Sequence, residues 1–590
     1  MASLFPKECE MISVSENFIP TSKKEVEALG WDYIDVIIFS GDAFVDHPSF
    51  GTAVIARVLQ KEGYKVAVVP QPNWRDDLRD FRKLGKPRLF FGVNSGVMDS
   101  MVNHYTANKR LRSNDAYTPG GKSGQRPDYA VTVYSQILKK LYPDVPLVIG
   151  GIEASLRRLT HYDYWKDALQ PSILFDSGAD ILVYGMGEKS IIEIAGKLAA
   201  KASVEQLHNI PQIGFINDFE DLSLSDNKLL LNSYEECLEN KKTFVNNFNL
   251  IEKESISINS RHIIEPAKGR FVHINPPYGL LSQQELDSYY DLPYSRKPHP
   301  RYKDKLIPAY EMIKFSINTH RGCFGSCSFC TISAHQGKFV QSRSKSSILK
   351  EVKRMSSMVE FKGIISDVGG PTANMYGMYG KNLELCKKCI KDSCIYPKIC
   401  NNLNRDLSTL IELYHEIEKV KGVKKIFIGS GIRYDLILNE TGYLDETCKK
   451  YFREVVTRHT SGWFKIAPEH TEEHVLKAMG KPSFSSFIFL REEFSRITKE
   501  ERLNYQIIPY FMSSHPGCTI CDMRTLSENP ALRGIRLDQV QDFTPTPMTR
   551  SSVAFYAGID PKTMKNIYVE RDLINRKKQR SFFSRKSDKI

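Results

Sequence analysis

Arg321-Gly-Cys-Phe-Gly-Ser-Cys-Ser-Phe-Cys330 is the stretch on which the reading of this chain turns. It carries Cys323, Cys327 and Cys330 at C-x3-C-x2-C spacing, and Phe315-Ser-Ile-Asn318 just before it reads as a short strand. The three thiols therefore sit on a loop leaving a strand end. Thiolates suit soft metals, and spacing this tight suits an iron–sulfur cluster or zinc. A closed structural site ordinarily has four protein ligands, whereas a site with chemistry keeps one position open. Three cysteines would leave one iron of a cubane free for a small molecule. Gly322 and Gly325 let the loop fold round a bulky group, since glycine carries no Cβ and accepts positive φ. A zinc knuckle, or cysteines together by chance, is the competing reading.

With Phe329 just before the third cysteine, the pattern resembles the signature of the radical SAM superfamily. The resemblance implies a [4Fe–4S] cluster on Cys323, Cys327 and Cys330. Its open iron would chelate the methionyl amino and carboxylate groups of S-adenosylmethionine, with Phe329 near the adenine.

Composition bounds the rest. The 590 residues suggest several domain-sized units, and 41% hydrophobic residues allow large cores. Lys+Arg 82 against Asp+Glu 69 leaves +13, a mild excess that permits an anionic partner without demanding one. Twelve cysteines, seven of them between 323 and 400, are clustered rather than spread as a disulfide framework. That points to metal binding in a reducing cytoplasm. The first residues lack an apolar core of signal length, and no long apolar run predicts a membrane span.

Residues 32–200 alternate strands and helices. Val36-Ile-Ile-Phe39, Lys65-Val-Ala-Val-Val69, Leu89-Phe-Phe-Gly-Val93, Leu147-Val-Ile149 and Ile181-Leu-Val183 are apolar runs, as in strands buried on both faces. Helical spacing over 51–62, 128–141 and 188–198 fills the gaps. This predicts a doubly wound, Rossmann-like α/β domain at 1–205, whose ligands bind at the carboxyl ends of its strands. Those ends carry Gly41-Asp42, Asp46-His47, Asn94, Gly150-Gly151 and Gly185-Met-Gly-Glu188. The arrangement resembles the cobalamin-binding domain that precedes many radical SAM barrels. The D-x-H-x-x-G signature is absent, however, so His47 reads as a polar loop histidine and cobalamin is not expected. Residues 95–127 read as a long, ordered binding loop. Residues 206–300, rich in charge and then proline, read as an insertion and linker, with a helix over 234–252 and a weak strand from 255.

From 301 to 560 the alternation restarts, with six strands at 313–318, 363–367, 425–428, 463–467, 505–511 and 538–543. This predicts a partial (β/α)6 barrel with its chemistry at the strand ends, and the resemblance implies that it is a radical SAM barrel. The radical SAM resemblance implies cofactor contacts from Gly369 and Gly370 after the second strand and from Arg433, Glu469 and Ser513 after later ones. A glutamate often follows the glycine pair; here Pro371 does. Glu469 and His470 equally suit a helix start, where a carboxylate favours the dipole.

Across most of the chain the phrases RPDYA, VIGGIEAS, RFVHINPP, RGCFGSCSFC, SDVGGPTANMYG, FKIAPEHT and VQDFTPTPM resemble the YgiQ-type radical SAM proteins. Cys386, Cys389, Cys394 and Cys400, four cysteines in fifteen residues, form a second metal candidate: an auxiliary iron–sulfur cluster, zinc, or free thiols. Cys518 and Cys521 read as buried or incidental thiols, and Cys9, Cys237 and Cys448 as isolated. The tail at 561–590 is basic and reads as a solvated, frayed terminus, with RNA contact as the alternative.

The expected function is a cytoplasmic radical SAM enzyme of unnamed substrate, served by an electron donor such as flavodoxin or ferredoxin. The other reading is non-enzymatic: an iron–sulfur electron carrier or a metal-stabilised RNA-binding protein.

Overall fold

The structure is a computed structural model and describes residues 18–219, 227–303, 305–537 and 539–583. Cys9 and the N-terminal residues read for a signal lie outside these. Five strands, β1 (Val36–Ser40), β2 (Val66–Pro70), β3 (Phe90–Asn94), β4 (Leu147–Ile149) and β5 (Ile181–Val183), pair in parallel in the order β2-β1-β3-β4-β5. Every residue of β1, β2, β4 and β5 is buried, as expected of apolar runs covered on both faces. Helices Gly51–Lys61, Ala130–Leu141 and Glu188–Ala199 supply the cover. The strand order reverses between β1 and β3, which opens a crevice at the carboxyl ends.

The reading of 206–300 as insertion and linker is corrected. The segment adds β6 (Ile213–Asn217), β7 (Lys228–Leu230), β8 (His262–Ala267) and β9 (Arg270–Ile274) to the same sheet, which becomes nine-stranded in the order β7-β8-β9-β6-β5-β4-β3-β1-β2. The hairpin from β8 to β9 turns on Lys268 and Gly269, both at positive φ, as a tight primed turn requires. A lysine at the first position hides that signal from sequence. The helix expected over 234–252 is two, Tyr234–Glu239 and Lys241–Ser255, broken at Asn240, whose side chain accepts from Lys242 N and caps the second. No strand starts at 255.

The second half carries β10 (Ser316–Asn318), β11 (Asp367–Gly369, preceded by Ile364–Ile365), β12 (Lys425–Ile426), β13 (Trp463–Glu469), β14 (Gln506–Ser513) and β15 (Val540–Asp542). β10 pairs with β11, Ile364–Ile365 with β12, and β13 with β14 and β14 with β15, all in parallel. Among the described residues no ladder joins β12 to β13; one bond, Ile428 N to the His459 carbonyl at 3.0 Å, spans the gap. Helices Lys345–Ser356, Ser408–Glu418, Glu446–Arg458 and Phe484–Glu500 lie outside, and Ile348, Leu410, Phe452, Phe464 and Phe487 fill the space between. The fold is α/β, a Rossmann-like sheet domain followed by an open barrel.

The two halves are locked together. Glu188, at the carboxyl end of β5, pairs with Arg321 just before the cysteine loop at 2.7 Å, with both side chains buried. Helix Lys241–Ser255 packs on helix Arg550–Ala557, where Tyr162, Tyr164, Phe244, Phe543 and Phe555 form a shared apolar cluster. The tail is also corrected: through residue 583 it is not frayed. Helix Leu573–Ser581, capped by Asp572, buries Arg576 and Gln579, and Arg576 donates to Tyr164 Oη and the Phe543 carbonyl. Residues 584–590 of that tail lie outside the described residues. Among the described residues no helix is long and apolar enough to cross a membrane.

Candidate metal and cofactor site

The loop after β10 first folds back through the pair His320–Arg321 and Gln341–Ser342, and then turns on Gly322. Gly322 has φ +81, and a Cβ there would stand 2.2 Å from the Phe339 carbonyl oxygen. At Gly325 a Cβ would meet Arg433 Nη1 at 2.8 Å and Cys323 Sγ at 3.4 Å. Gly322 is thus required by the close approach of main chain, and Gly325 makes room for a guanidinium.

That guanidinium is the main feature the sequence left imprecise. Arg433 Nη1 donates to Cys327 Sγ at 2.9 Å, while Nε donates to Asp435 Oδ1 at 2.9 Å and Nη2 to Oδ2 at 2.5 Å. Burial works against its charge, but Asp435 and Cys327 overcome this and raise its pKa above the ordinary value. Arg433 is therefore a fixed cation against the sulfurs. Thr372 Oγ1 lies 3.5 Å from Cys323 Sγ, and Gly325 N donates to the same sulfur at 3.4 Å. Burial pushes the Cys330 thiol up to about 12, and raises Cys323 as well. Thiol ligands bind metal only as thiolates, so these thiols would shed their protons as metal enters.

The other predicted residues divide. Phe329 meets the His515 ring edge-on at 6.1 Å, and His515 Nε2 lies 2.7 Å from Ser551 Oγ and 3.3 Å from Ser328 Oγ. The loop after β14 thus reaches the cysteine loop through His515, Ser551 and Ser328. Ser513 does not take part: its hydroxyl donates to Asp542 Oδ1 at 2.6 Å, and Asp542 also accepts from Asn108 of the 95–127 loop. Glu469 is buried, with φ +70, and faces Lys481 at 3.5 Å; burial raises its pKa against the pull of Lys481. Ser326, Glu469 and Ser514 all hold left-handed backbone on strand-end loops, where such strain is found at functional sites. Gly369 and Gly370 are crowded from within, since Cβ atoms there would meet Ser430 Oγ at 3.0 Å and the His320 ring at 2.7 Å. His470 is structural, its Nδ1 accepting from Glu472 N at 3.0 Å. Cys518 is buried near His470 and Cys521 is exposed.

A cavity of about 760 Å³ opens where the two halves face one another. Asn94, Gly150, Gly151 and Glu188 line it from the sheet, Asp367 and Gly370 from the barrel. His47 is not among its lining residues. His47 lies on a loop, as read from the sequence, but it is fully buried, with Nδ1 accepting from Ser49 N at 3.1 Å. The 95–127 loop is ordered by a buried Arg126 that pairs with Asp42 at 2.7 Å and Asp115 at 2.9 Å. Helix Lys241–Ser255 roofs the cysteine loop: Phe248, Ile251 and Ser255 line a cavity of about 30 Å³ with Cys327 and Cys330.

Cys386, Cys389, Cys394 and Cys400 are free thiols on the loop between β11 and helix Ser408–Glu418, each partly buried. Burial raises the pKa of Cys386 and Cys394, and the neighbouring thiols of the group add to it.

Residues 18–316 match the family described as radical SAM N-terminal. A UPF0313 protein of Bacteroides thetaiotaomicron is 54% identical over 580 residues, covering 96% of this chain and 94% of that protein. One from Porphyromonas gingivalis is 53% identical over 572 residues, covering 96% and 90%. Among solved structures, the radical S-adenosylmethionine methyltransferase TsrM of Kitasatospora setae, with cobalamin and a [4Fe–4S] cluster bound, aligns at TM-score 0.48 and 14% identity, covering 89% of this chain and 74% of that one. The family match defines a protein of the radical SAM superfamily. The chain belongs to the UPF0313 family, the YgiQ-type radical SAM proteins.

Proposed function

We propose that the protein is an enzyme that reductively cleaves S-adenosylmethionine at a [4Fe–4S] cluster held by Cys323, Cys327 and Cys330. The observation that carries this is the set of three thiols on one loop with the Arg433 guanidinium donating to Cys327. The donor set fits the group: three soft ligands, a fixed cation to offset thiolate charge, and two glycines where a Cβ would collide. When bound, the cluster supplies the electron that splits the sulfonium into methionine and a 5′-deoxyadenosyl radical.

The chain's own residues then have three tasks. Arg433, held by Asp435, compensates negative charge in a buried setting where a bare cation would be costly. Phe329, braced by His515, offers an aromatic face for the adenine, and Gly369, Gly370, Glu469 and Lys481 offer the polar rim. Ser513 is spoken for by Asp542 and is proposed as support for that rim. The sheet domain closes the barrel mouth through Glu188 and Arg321, and the roof helix covers the thiols, which would keep water from the reacting centre. The substrate is proposed to bind in the cavity at the strand ends, where glycines leave backbone within reach of a ligand. A one-electron protein donor completes the cycle, in the cytoplasm. No step through cobalamin is proposed.

Anaerobic reconstitution with iron and sulfide, followed by dithionite and S-adenosylmethionine, tests the proposal. 5′-Deoxyadenosine and methionine are expected, and none from a Cys323→Ala variant. An iron–sulfur carrier or an RNA-binding protein would make neither, and that result would end the enzymatic reading.

A further inference from the structure

The loop of Cys386, Cys389, Cys394 and Cys400 is built rather than loose. Cys389 N donates to the Cys386 carbonyl at 3.1 Å, closing a tight turn, and Cys400 N donates to the Cys394 carbonyl at 2.8 Å, closing a wider loop, so backbone bonds draw the cysteines together as two pairs. Cys386 Sγ accepts from Asn402 Nδ2 at 3.2 Å and Cys389 Sγ from Lys391 N at 3.4 Å. The Gly380 backbone packs on Cys386 so closely that a Cβ there would stand 2.4 Å from the sulfur. The root of the loop is pinned twice. Asp392 pairs with Arg550 at 2.8 Å and Lys562 at 2.7 Å, and Ser393 Oγ and Cys394 N donate to the Phe324 carbonyl at 3.0 and 3.1 Å.

Four thiolates on one zinc ion stand about 3.8 Å apart, the edge of a tetrahedron with Zn–S bonds of about 2.3 Å. Among the described residues, no three cysteine sulfurs lie mutually within 4.8 Å, neither in this quartet nor in the trio at Cys323, Cys327 and Cys330. Neither set is gathered round the position of a single ion in this structure. A cubane spreads its ligands more widely, and four cysteines are its ordinary donor set.

We propose that Cys386, Cys389, Cys394 and Cys400 hold a second [4Fe–4S] cluster that passes electrons singly to the trio site and binds no substrate. Four thiolates cap all four irons, so none is open to a ligand, and outer-sphere transfer is what remains. Phe324 lies between Cys323 and Cys327, and its carbonyl accepts from both Cys394 N and Ser393 Oγ, so two hydrogen bonds join the two cysteine loops. The outer side of the loop exposes Leu383, Leu385 and Ile390, 48%, 58% and 73% accessible, beside exposed Lys388, Lys391 and Lys398. Exposed apolar side chains on a segment where lysines outnumber the single exposed carboxylate of Glu384 suit an acidic one-electron carrier protein. The reduced carrier gives up one electron, the second cluster goes from the 2+ to the 1+ state, and the electron moves on to the trio site, returning the second cluster to 2+. This role rests on the reading of the trio given above; the cluster itself does not.

The test uses the full chain, reconstituted anaerobically. A Cys323→Ala, Cys327→Ala, Cys330→Ala variant leaves the quartet intact and should bind about four irons and no zinc, where the unaltered chain binds about eight. Reduced by dithionite, it should give a paramagnetic resonance signal that S-adenosylmethionine does not shift. Zinc in this variant, or neither metal, overturns the second cluster. The converse quartet variant, checked for folding by circular dichroism, should keep about four irons at the trio, reducible by dithionite but at least tenfold more slowly than in the unaltered chain by an acidic flavodoxin. Equal reduction of the trio by flavodoxin with and without the quartet overturns the relay. Absence of 5′-deoxyadenosine from the unaltered chain would instead remove the proposed activity, leaving the iron counts to stand or fall separately.

Discussion

Gly322→Ala should cripple metal binding at the trio without unfolding the protein. Left-handed backbone costs an L-residue about 1–2 kcal/mol. The new Cβ would also stand 2.2 Å from the Phe339 carbonyl oxygen and 2.9 Å from its carbon, main-chain atoms that cannot swing aside. Overpacking of this kind costs about 1–3 kcal/mol. The sum, about 2–5 kcal/mol, falls on one loop, and at about 3 kcal/mol the population with the thiols in place drops roughly 100-fold. Two companions calibrate the effect. At Gly325 the nearest atom is the end of the Arg433 side chain, so Gly325→Ala should do less harm. At Gly431 nothing lies within 4 Å, and alanine should be silent. Iron per chain after limited reconstitution, with the visible charge-transfer band and the thermal midpoint of the apoprotein, reads the series. Equal iron uptake by Gly322→Ala and Gly431→Ala would refute the reasoning.

Two further outcomes follow from buried polar groups. Gln579 Oε1 accepts from Ser514 N at 2.8 Å under the docked tail, so Gln579→Ala leaves a buried N–H unpaired and should cost about 1–3 kcal/mol. Thermal unfolding and faster proteolysis after residue 570 report it. Glu265 is fully buried with one carboxyl oxygen unpaired, and burial pushes its pKa up from 4.5 to about 7. The folded state therefore prefers the neutral acid, a stability present below the unfolded pKa and lost as pH rises through about 7. Relative to Glu265→Gln, the unaltered chain should lose about 3 kcal/mol between about pH 5 and about pH 8, read from urea midpoints. Parallel pH profiles would contradict it.

Much of this molecule is legible residue by residue because its signals are local. The trio and the quartet of cysteines are contiguous patterns, and the parallel strands are apolar runs whose burial needs no knowledge of their neighbours. The Rossmann-like sheet and the six barrel strands follow from such runs. The residues that act on the thiols are another matter. Arg433 reaches Cys327 across 106 positions, Glu188 meets Arg321 between the two halves, and Arg576 leaves a basic tail to lie buried beneath Tyr164. A charged side chain reads as solvated until its partner is known, and such partners are brought together only by packing. The same holds for 206–300, where hidden turn chemistry at Lys268 and Gly269 and polar strands masked four additions to the sheet. Chain order carried the candidate ligand types and their spacing. Folding decided which cation faces the sulfurs and what roofs them, because those depend on contacts between segments that no short stretch encodes.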